Sequence, residues 1–232
     1  VYETLQLIEN DLTEARNLLR ESDMLYLCDS DEAWYYQGSS RGYYGQQIFN
    51  YYAATATLAR AYMWENKPEK AYDAAVEIVS SVDRSEYRFS WVHYSAATAS
   101  NLYERDIVYS NEHLFRLGMN KMDEQVKNYF TATAKGINSL LTPRDAMRAQ
   151  IYEVTAKGYG TDWRYNYGSV YDGDTYPYLA KFRQPENGAY NNMMPLIRIS
   201  EMYYICAEAK VKRDKARAIA LLNTVRNSRN IT

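Results

Sequence analysis

The sequence predicts a mainly α-helical fold, in which two helical hairpins of the tetratricopeptide (TPR) type hold a loop-rich insertion with short strands. Apolar residues recur at helical spacing, beside small residues, over residues 45–81 and again over 195–229. The interval 82–194 breaks that spacing with glycines and aromatic residues. A solenoid needs repeats in direct succession, whereas residues 82–194 separate these two hairpins. We therefore expect a single domain over residues 1–232, in which 82–194 is a variable, ligand-binding insertion.

The first helix is predicted over residues 2–22, because apolar residues there follow the i, i+3, i+7 spacing of one helix face. The apolar stripe begins at Leu5 and ends at Leu19. Charged residues occupy positions between the apolar ones, and we expect them to turn toward solvent. These charged residues are Glu9, Asp11, Glu14 and Arg16.

The two hairpins carry the clearest tertiary signal. In the first, the helix after the turn Asn66-Lys67-Pro68 presents Ala71 and Ala75, small residues that let two helices pack closely as in TPR repeats. The second hairpin is expected to start with a helix from Pro195 to Ala209, since proline suits the first position of a helix. Its apolar stripe is Ile199, Met202, Tyr203, Cys206 and Ala209. Cys206 is therefore expected to be a buried free thiol.

The insertion is predicted to contain short strands and a helix. Residues 106–109 and 113–117 have the apolar and aromatic composition of strands. Thr142-Pro143 is a typical N-cap followed by a proline, which predicts a helix that continues to Tyr152.

A β-hairpin is expected later in the insertion. It runs from Trp163 to Tyr171, turns at Asp172-Gly173 and returns through Tyr176–Phe182. Asp172 and Asp174 lie at this turn, and a pair of carboxylates is what glycoside hydrolysis requires. Asp-Gly-Asp is an ordinary turn composition, however, so we expect no enzyme activity.

The overall composition argues against several classes of function. The formal net charge is −2 and the isoelectric point is about 5.8, which gives no electrostatic basis for binding nucleic acid. No stretch approaches the roughly 18 apolar residues of a membrane span. His93 and His113 have no ligand at metal-binding spacing, and no phosphate-binding glycine loop occurs. We therefore expect no metal, no cofactor and no catalytic residue.

Several phrases of the sequence resemble the SusD/RagB family, and they follow that family's order. The most specific are Met194–Ala209, which resembles the family's signature helix, and Leu221–Arg226, which matches its LNxVR phrase. Ile8–Leu19 resembles its DLxxAxxLL helix, Asp162-Trp-Arg164 its D-x-R, and Tyr178–Phe182 its Y-x-x-K-[FY] strand. The resemblance covers most of the chain and implies the SusD-like α-α superhelix.

The resemblance implies a non-enzymatic lipoprotein on the surface of the outer membrane. Such a protein captures an oligosaccharide or polysaccharide and delivers it to a SusC-like TonB-dependent transporter. The signal and the lipidated cysteine are not in this sequence, so we expect a fragment whose membrane attachment is only through that missing anchor. Two alternatives stay open: a peptide-binding RagB-like member of the same family, and a TPR-type scaffold for a protein partner.

Candidate ligand-binding residues are chosen by composition. Sugars stack on aromatic rings and bond to planar polar groups, and the 25 tyrosines make such rings plentiful. Three loops combine aromatic rings with polar side chains. The candidates are Trp34, Tyr35, Tyr36, Arg41 and Tyr43 in the first loop, Trp91 and Tyr94 in the second, and Trp163, Tyr165, Asn166, Tyr167, Tyr171 and Asp172 in the third.

Two charged residues of the signature helix are expected to act structurally. Arg198 stands one position before the apolar stripe, where its guanidinium can bind carboxylates or carbonyls beneath the helix start. Its candidate partners are Glu208, Glu201 and Asp162.

Overall fold

A computed structural model describes the chain over residues 2–27, 45–82, 89–127, 129–130, 145–154, 161–168, 170–172 and 177–231. The chain divides into two compact units. The helical unit comprises Val1–Ser90, Asn111–Arg116 and Pro195–Val225, and the loop unit comprises Trp91–Ser110, Leu117–Met194 and Arg226–Thr232. The predicted fold class is confirmed, because the described part is mainly helical with short strands. The single domain over 1–232 and the insertion boundaries remain predictions.

The helices in chain order are α1 (Tyr2–Ser22), α2 (Met24–Leu27), α3 (Tyr51–Trp64), α4 (Pro68–Val82), α5 (Tyr94–Ala97), α6 (Met122–Val126), α7 (Asp145–Ile151), α8 (Ile199–Lys210) and α9 (Lys215–Asn227). The strands are β1 (His113–Gly118), β2 (Val170–Asp172), β3 (Pro177–Leu179) and β4 (Met193–Arg198). Strand β1 pairs with β4, and β2 pairs antiparallel with β3. None of the helices within these described ranges is long and apolar enough to cross a membrane.

The core of the helical unit lies where α3, α4 and α8 pack together, with α1 laid against α3. Ala71 and Ala75 are fully buried, so α4 can approach its neighbours closely, as the TPR-like pattern predicts. The buried side chain of Asn50 caps α3 by accepting a hydrogen bond from the Ala53 N–H at 2.8 Å. Its amide also donates to the carbonyl of Leu114 at 2.9 Å, which ties strand β1 to this helix start.

Helix α1 is held by charged residues as well as by its apolar stripe, which corrects the prediction that Glu9 and Arg16 face solvent. Glu9 accepts hydrogen bonds from Lys67 and Lys70, each at 2.7 Å. The ammonium groups of Lys67 and then Lys70 lower the pKa of Glu9 to about 2. Arg16 pairs with the Glu77 carboxylate. Both residues therefore contact the α3–α4 hairpin, against which α1 packs.

The signature helix begins later than predicted. Pro195 lies in strand β4 and not in a helix, and α8 begins at Ile199. The reason is the pairing of β4 with β1, which holds residues 193–198 extended. The predicted stripe of α8 is confirmed, since each of its five residues is buried. Cys206 is a buried free thiol, as expected, and burial raises its pKa to about 12.

Two of the predicted strand segments in the loop unit are wrong. Residues 106–109 form no strand but bend at 107–108, where the Asp106 carboxylate closes the turn by accepting hydrogen bonds from the Ser110 N–H and hydroxyl, each at 2.8 Å. Residues 164–168 form a π-helical turn, so the predicted hairpin shrinks to β2 and β3, with Tyr171 opposite Tyr178. The predicted strand at 113–117 is confirmed as β1, and the predicted helix to Tyr152 is α7. Residues 173–176 and Thr142-Pro143 lie outside the described residues.

Candidate functional site

The candidate residues of the second and third loops lie in the loop unit. Tyr171 and Asp172 belong to strand β2. The candidates of the first loop lie outside the described residues; they are Trp34, Tyr35, Tyr36, Arg41 and Tyr43. The geometry of the site is therefore given by Trp91, Tyr94 and the segment 163–167.

Tyr94 and Trp163 form an edge-to-face aromatic pair with ring centroids 5.2 Å apart. The Tyr94 side chain is 52% exposed, whereas Trp163 is half-buried against a small apolar cluster that includes Val92 and Tyr109. The indole N–H of Trp163 is buried and has no hydrogen-bond partner among the described residues. Trp163 is thus mainly a packing residue, and Tyr94 is the member of the pair that solvent reaches.

Two further candidate rings have a guanidinium over one face. The Arg229 guanidinium lies 5.3 Å from the Trp91 ring centre and 4.6 Å from that of Tyr109. The Arg148 guanidinium lies 4.3 Å from the centre of the Tyr165 ring. Cation–π contacts of this kind hold the rings in place. One face of each ring is thus covered by an arginine of the same chain, so less ring surface of Trp91 and Tyr165 remains for a ligand.

Tyr167 lies beside a surface groove of the loop unit, because the turn Arg164–Gly168 carries it there. The turn is anchored by Asp162, which is buried and accepts hydrogen bonds from the Arg164 backbone N–H at 2.8 Å and from its guanidinium at 2.7 Å. The segment is also tied to the far end of the chain, where the Trp163 N–H donates to the Arg229 carbonyl at 3.2 Å. Tyr167 remains 38% exposed.

One wall of the groove comes from residues 102–107. Arg105 fixes this wall, since its Nε donates to the Ala99 carbonyl at 2.7 Å and its Nη1 to the Tyr167 carbonyl at 2.9 Å. The Arg105 guanidinium lies 6.0 Å from the centre of the Tyr167 ring. Tyr103 on the same wall is 51% exposed. Two partly exposed tyrosines therefore line the groove together with a positioned guanidinium.

The opposite wall comes from residues 183–191. The Pro185 carbonyl accepts hydrogen bonds from the Gly188 N–H at 3.0 Å and from the Asn191 side-chain amide at 2.6 Å. The Ala189 N–H donates to the Tyr103 carbonyl at 3.0 Å, which joins the two walls. A Cβ atom at Gly188 would stand 2.6 Å from Asn191 Oδ1, so any larger residue would require this wall to shift.

Arginine and tyrosine side chains line the groove. Arg105 and Arg183 both line it, and none of the described lining residues is acidic. Tyr190 also lines it; burial and then the charge of Asp106 raise the pKa of that tyrosine. Where the structure describes the chain, no group of three or more His, Cys, Asp or Glu side chains gathers to hold a metal ion. The arrangement can stack and hydrogen-bond a polar ligand.

Comparison with protein families identifies the fold. The model of the SusD family matches residues 20–232. The chain belongs to the SusD family. The prediction from the signature helix is therefore confirmed. A comparison with curated proteins found no match.

Solved structures of the SusD family are similar to this chain. A SusD-like carbohydrate binding protein from Bacteroides vulgatus has a TM-score of 0.63 and 17% identity, over 99% of this chain and 44% of the neighbour. A SusD superfamily protein from Bacteroides thetaiotaomicron has a TM-score of 0.60 and 14% identity, over 85% and 44%. Another from Bacteroides vulgatus has a TM-score of 0.50 and 21% identity, over 78% and 41%. The chain spans less than half the length of these SusD-family structures.

Sequence reasoning named Tyr167 but missed most of the groove of this SusD-family chain. The segment 183–191 carried a usable signal, because Pro185 and Asn187-Gly188 mark tight turns directly before an aromatic ring and an amide. The missed residues are Tyr103, Arg105, Arg183, Tyr190 and Asn191.

The expected structural roles of Arg198 and Glu208 in the SusD signature helix remain predictions. Glu201, one candidate partner of Arg198, accepts a hydrogen bond from Arg60 at 2.6 Å. Asp162, another, is paired with Arg164. Glu208 is exposed on α8.

Proposed function

We propose that the chain is a non-enzymatic glycan-binding protein that captures an oligosaccharide in the groove of the loop unit. The observation that carries the proposal is the placement of two exposed rings, Tyr103 and Tyr167, beside the guanidinium of Arg105 and the amide of Asn191. Sugars present C–H faces that lie on aromatic rings and hydroxyls that bond to planar polar groups. SusD-family membership and the carbohydrate-binding neighbour support the proposal.

The groove is positioned before any ligand arrives. Backbone carbonyls hold Arg105 and Asn191, and the bond from Ala189 to Tyr103 fixes the spacing of the walls. A ligand therefore has to order few side chains on binding, which removes one of the main entropic costs of association. Rigid rings and polar groups that are already in position suit a sugar chain, which presents both C–H faces and hydroxyls.

We propose that the captured glycan then passes to a SusC-like TonB-dependent transporter at the outer membrane. The chain is proposed to be anchored at the cell surface through lipid, in line with its family. The test is purification of the tagged chain from outer-membrane extracts, with identification of what elutes with it. Co-elution of a TonB-dependent transporter is the expected result. Co-elution of an unrelated protein through the helical unit would favour the TPR-scaffold alternative.

The glycan proposal is tested by isothermal titration calorimetry of the full chain against oligosaccharides and peptides of matched length. We expect glycan binding that weakens about ten-fold, about 1.4 kcal/mol, in Tyr167→Ala. The matched control is Tyr204→Ala, which removes an exposed tyrosine of α8 in the helical unit and should leave the affinity unchanged.

Three outcomes would contradict the proposal. Binding of peptides with no response to any glycan would support the peptide-binding alternative. Release of new reducing ends from a bound oligosaccharide would show that the chain is an enzyme. Equal losses of affinity in Tyr167→Ala and Tyr204→Ala would show that the ligand does not bind in the groove.

A further inference from the structure

We infer that Asp162 and Arg164 are positioning residues for glycan binding: they hold the Tyr167 ring at the groove and do not touch the glycan themselves. The inference rests on the proposed function and deepens it, because it assigns a role in binding to two residues outside the groove. Tyr167 lines the groove, whereas neither Asp162 nor Arg164 is among the described residues that line it.

Asp162 starts the π-helical turn Arg164–Gly168 by accepting three backbone hydrogen bonds. Its Oδ1 accepts from the Arg164 N–H at 2.8 Å, and its carbonyl accepts from the N–H groups of Tyr165 and Asn166, each at 3.1 Å. The first N–H groups of a helical turn have no partner within the turn, so a single residue satisfies three of them here. Turns of this kind are rare, and many of them occur at functional sites. The path of this turn therefore depends on Asp162.

The Asp162 carboxylate is itself held by the Arg164 guanidinium. Arg164 Nε lies 3.0 Å from Asp162 Oδ1, and Arg164 Nη2 lies 2.7 Å from Oδ2, so the contact joins two pairs of atoms. The Asp162 side chain is buried, which strengthens these hydrogen bonds because little water competes for the carboxylate. The two side chains thus form a clamp at the start of the turn.

Tyr167 is held from two directions. The clamp of Asp162 and Arg164 acts at the start of the turn, and Arg105 Nη1 donates to the Tyr167 carbonyl at 2.9 Å. The Arg105 bond holds the carbonyl alone, whereas the clamp sets the path of the backbone that leads to Tyr167. A ring that is already in place loses little conformational freedom when a ligand binds. Loss of the clamp should therefore weaken glycan binding through Tyr167.

The test is a double-mutant cycle, measured by isothermal titration calorimetry of the full chain. The probes are oligosaccharides of matched length: cello-, xylo- and malto-oligosaccharides, oligogalacturonate and a sulfated oligosaccharide. The probe that binds most tightly is used for every variant. We expect Asp162→Asn, which keeps the size of the side chain and removes its charge, to weaken binding about three-fold, because one ring must then be ordered by the ligand. In the Tyr167→Ala background the same substitution should have no further effect on affinity.

Arg164→Gln is the second variant, and it keeps the reading available if Asp162→Asn does not fold. It removes the guanidinium but retains the backbone N–H groups that bond to Asp162. We expect weaker glycan binding here too, and only while Tyr167 is present. The matched control is Glu201→Gln, which breaks the ion pair with Arg60 in the helical unit and should leave the affinity unchanged.

A second measurement needs no ligand. Amide hydrogen exchange at Tyr165 and Asn166 should be faster in Asp162→Asn and Arg164→Gln, because these N–H groups bond to the Asp162 carbonyl. Exchange in helix α8 should stay the same. Unchanged exchange at Tyr165 and Asn166 would show that the clamp does not hold the turn, and it would overturn the inference.

The outcomes separate the inference from the proposed function. If Tyr167→Ala weakens glycan binding but neither Asp162→Asn nor Arg164→Gln does, the inference is wrong and glycan binding in the groove stands. If Asp162→Asn weakens binding as much in the Tyr167→Ala background as in the original sequence, the clamp does not act through Tyr167 and the inference is again wrong. If none of the oligosaccharides binds a chain whose circular dichroism shows that it is folded, the proposed function fails, and the inference fails with it.

Discussion

The helical unit and the loop unit use their charged side chains in different ways. In the helical unit cations pair with carboxylates of other helices, as Arg60 does with Glu201 and Lys67 with Glu9. The loop unit has ion pairs too, such as Arg164 with Asp162, but several of its guanidinium groups also bond to carbonyls or lie over aromatic rings, as Arg105 and Arg229 do. The ion pairs join helices of the helical unit, whereas the bonds of Arg105 position the wall of the groove. We therefore expect substitutions in the helical unit to change stability and those in the loop unit to change binding.

The largest effect is expected from the core of the helical unit. Met202 on α8 is fully buried, and Met202→Ala should lower the free energy of unfolding by about 2–5 kcal/mol through lost burial and the cavity left behind. Urea denaturation followed by circular dichroism measures this. Tyr204→Ala on the same helix removes a side chain that is 46% exposed and should cost much less. Equal losses of unfolding free energy in the two variants would show that α8 does not form part of the core.

The second-largest effect is expected from a substitution in the loop unit. Gly188→Ala places a Cβ 2.6 Å from Asn191 Oδ1 and 2.7 Å from Pro185 Cγ, so the groove wall has to shift. Overpacking of this kind costs about 1–3 kcal/mol, and we expect glycan affinity to fall with it. Gly45→Ala is the matched control in the helical unit, because its Cβ would meet only Leu25 methyl groups, at 3.8 Å or more. Calorimetry and urea denaturation of both variants check the prediction. Unchanged binding in Gly188→Ala would mean that this wall does not contact the ligand.

A smaller effect is expected at a polar contact inside the helical unit. The Tyr51 hydroxyl donates to the Glu77 carboxylate and accepts from Arg16 at 3.2 Å. Tyr51→Phe keeps the buried ring and should destabilise the fold by about 1–2 kcal/mol, with no change in glycan affinity. Tyr204→Phe removes an exposed hydroxyl and serves as the control. A loss of glycan affinity in Tyr51→Phe at unchanged stability would contradict the assignment of stability to the helical unit and of binding to the loop unit.

The smallest effect is a dependence of stability on pH. The ammonium groups of Lys67 and Lys70 lower the pKa of Glu9 from 4.5 to about 2. A carboxyl whose pKa is lower in the folded state adds stability above pH 4.5, and this stability is lost as the pH falls from 4.5 to about 2. The urea midpoint should therefore fall less in Glu9→Gln than in the original sequence over that range. Glu3→Gln, at an exposed position of α1, should follow the original curve.

The sequence was informative where one helix face meets the core, and less so where distant segments meet. The stripe of α8 was predictable because burial imposes a helical period on the residues themselves. The stripe of α1 is only half-buried, and its Ile8 is exposed. Pro195 was misassigned because β4 pairs with β1, about 80 residues earlier in the chain, and this pairing overrides a local preference of proline. Residues 164–168 were misassigned as strand because aromatic composition favours strands. The D-x-R phrase at Asp162 did not indicate that this residue anchors a turn.

The groove was the least predictable feature. Its walls meet through the bond from Ala189 to Tyr103 and the bond from Arg105 to the Tyr167 carbonyl. Backbone carbonyls accept from any donor, so neither bond leaves a mark in the sequence. Composition therefore found a ring, Tyr167, but could not find the two arginines, since arginine in a loop is usually solvated.

The tight turn at Asn187-Gly188 also affects how the protein ages chemically. In an unfolded chain an Asn-Gly pair loses ammonia readily, because the glycine nitrogen attacks the asparagine side chain to form a succinimide, which then opens to aspartate or isoaspartate. Here the Gly188 N–H donates to the Pro185 carbonyl, and Asn187 is held in the left-handed region with φ of 56°. The folded loop thus restrains the nitrogen that starts the reaction. Each episode of unfolding exposes this nitrogen, and the product is a permanent negative charge at the edge of the groove.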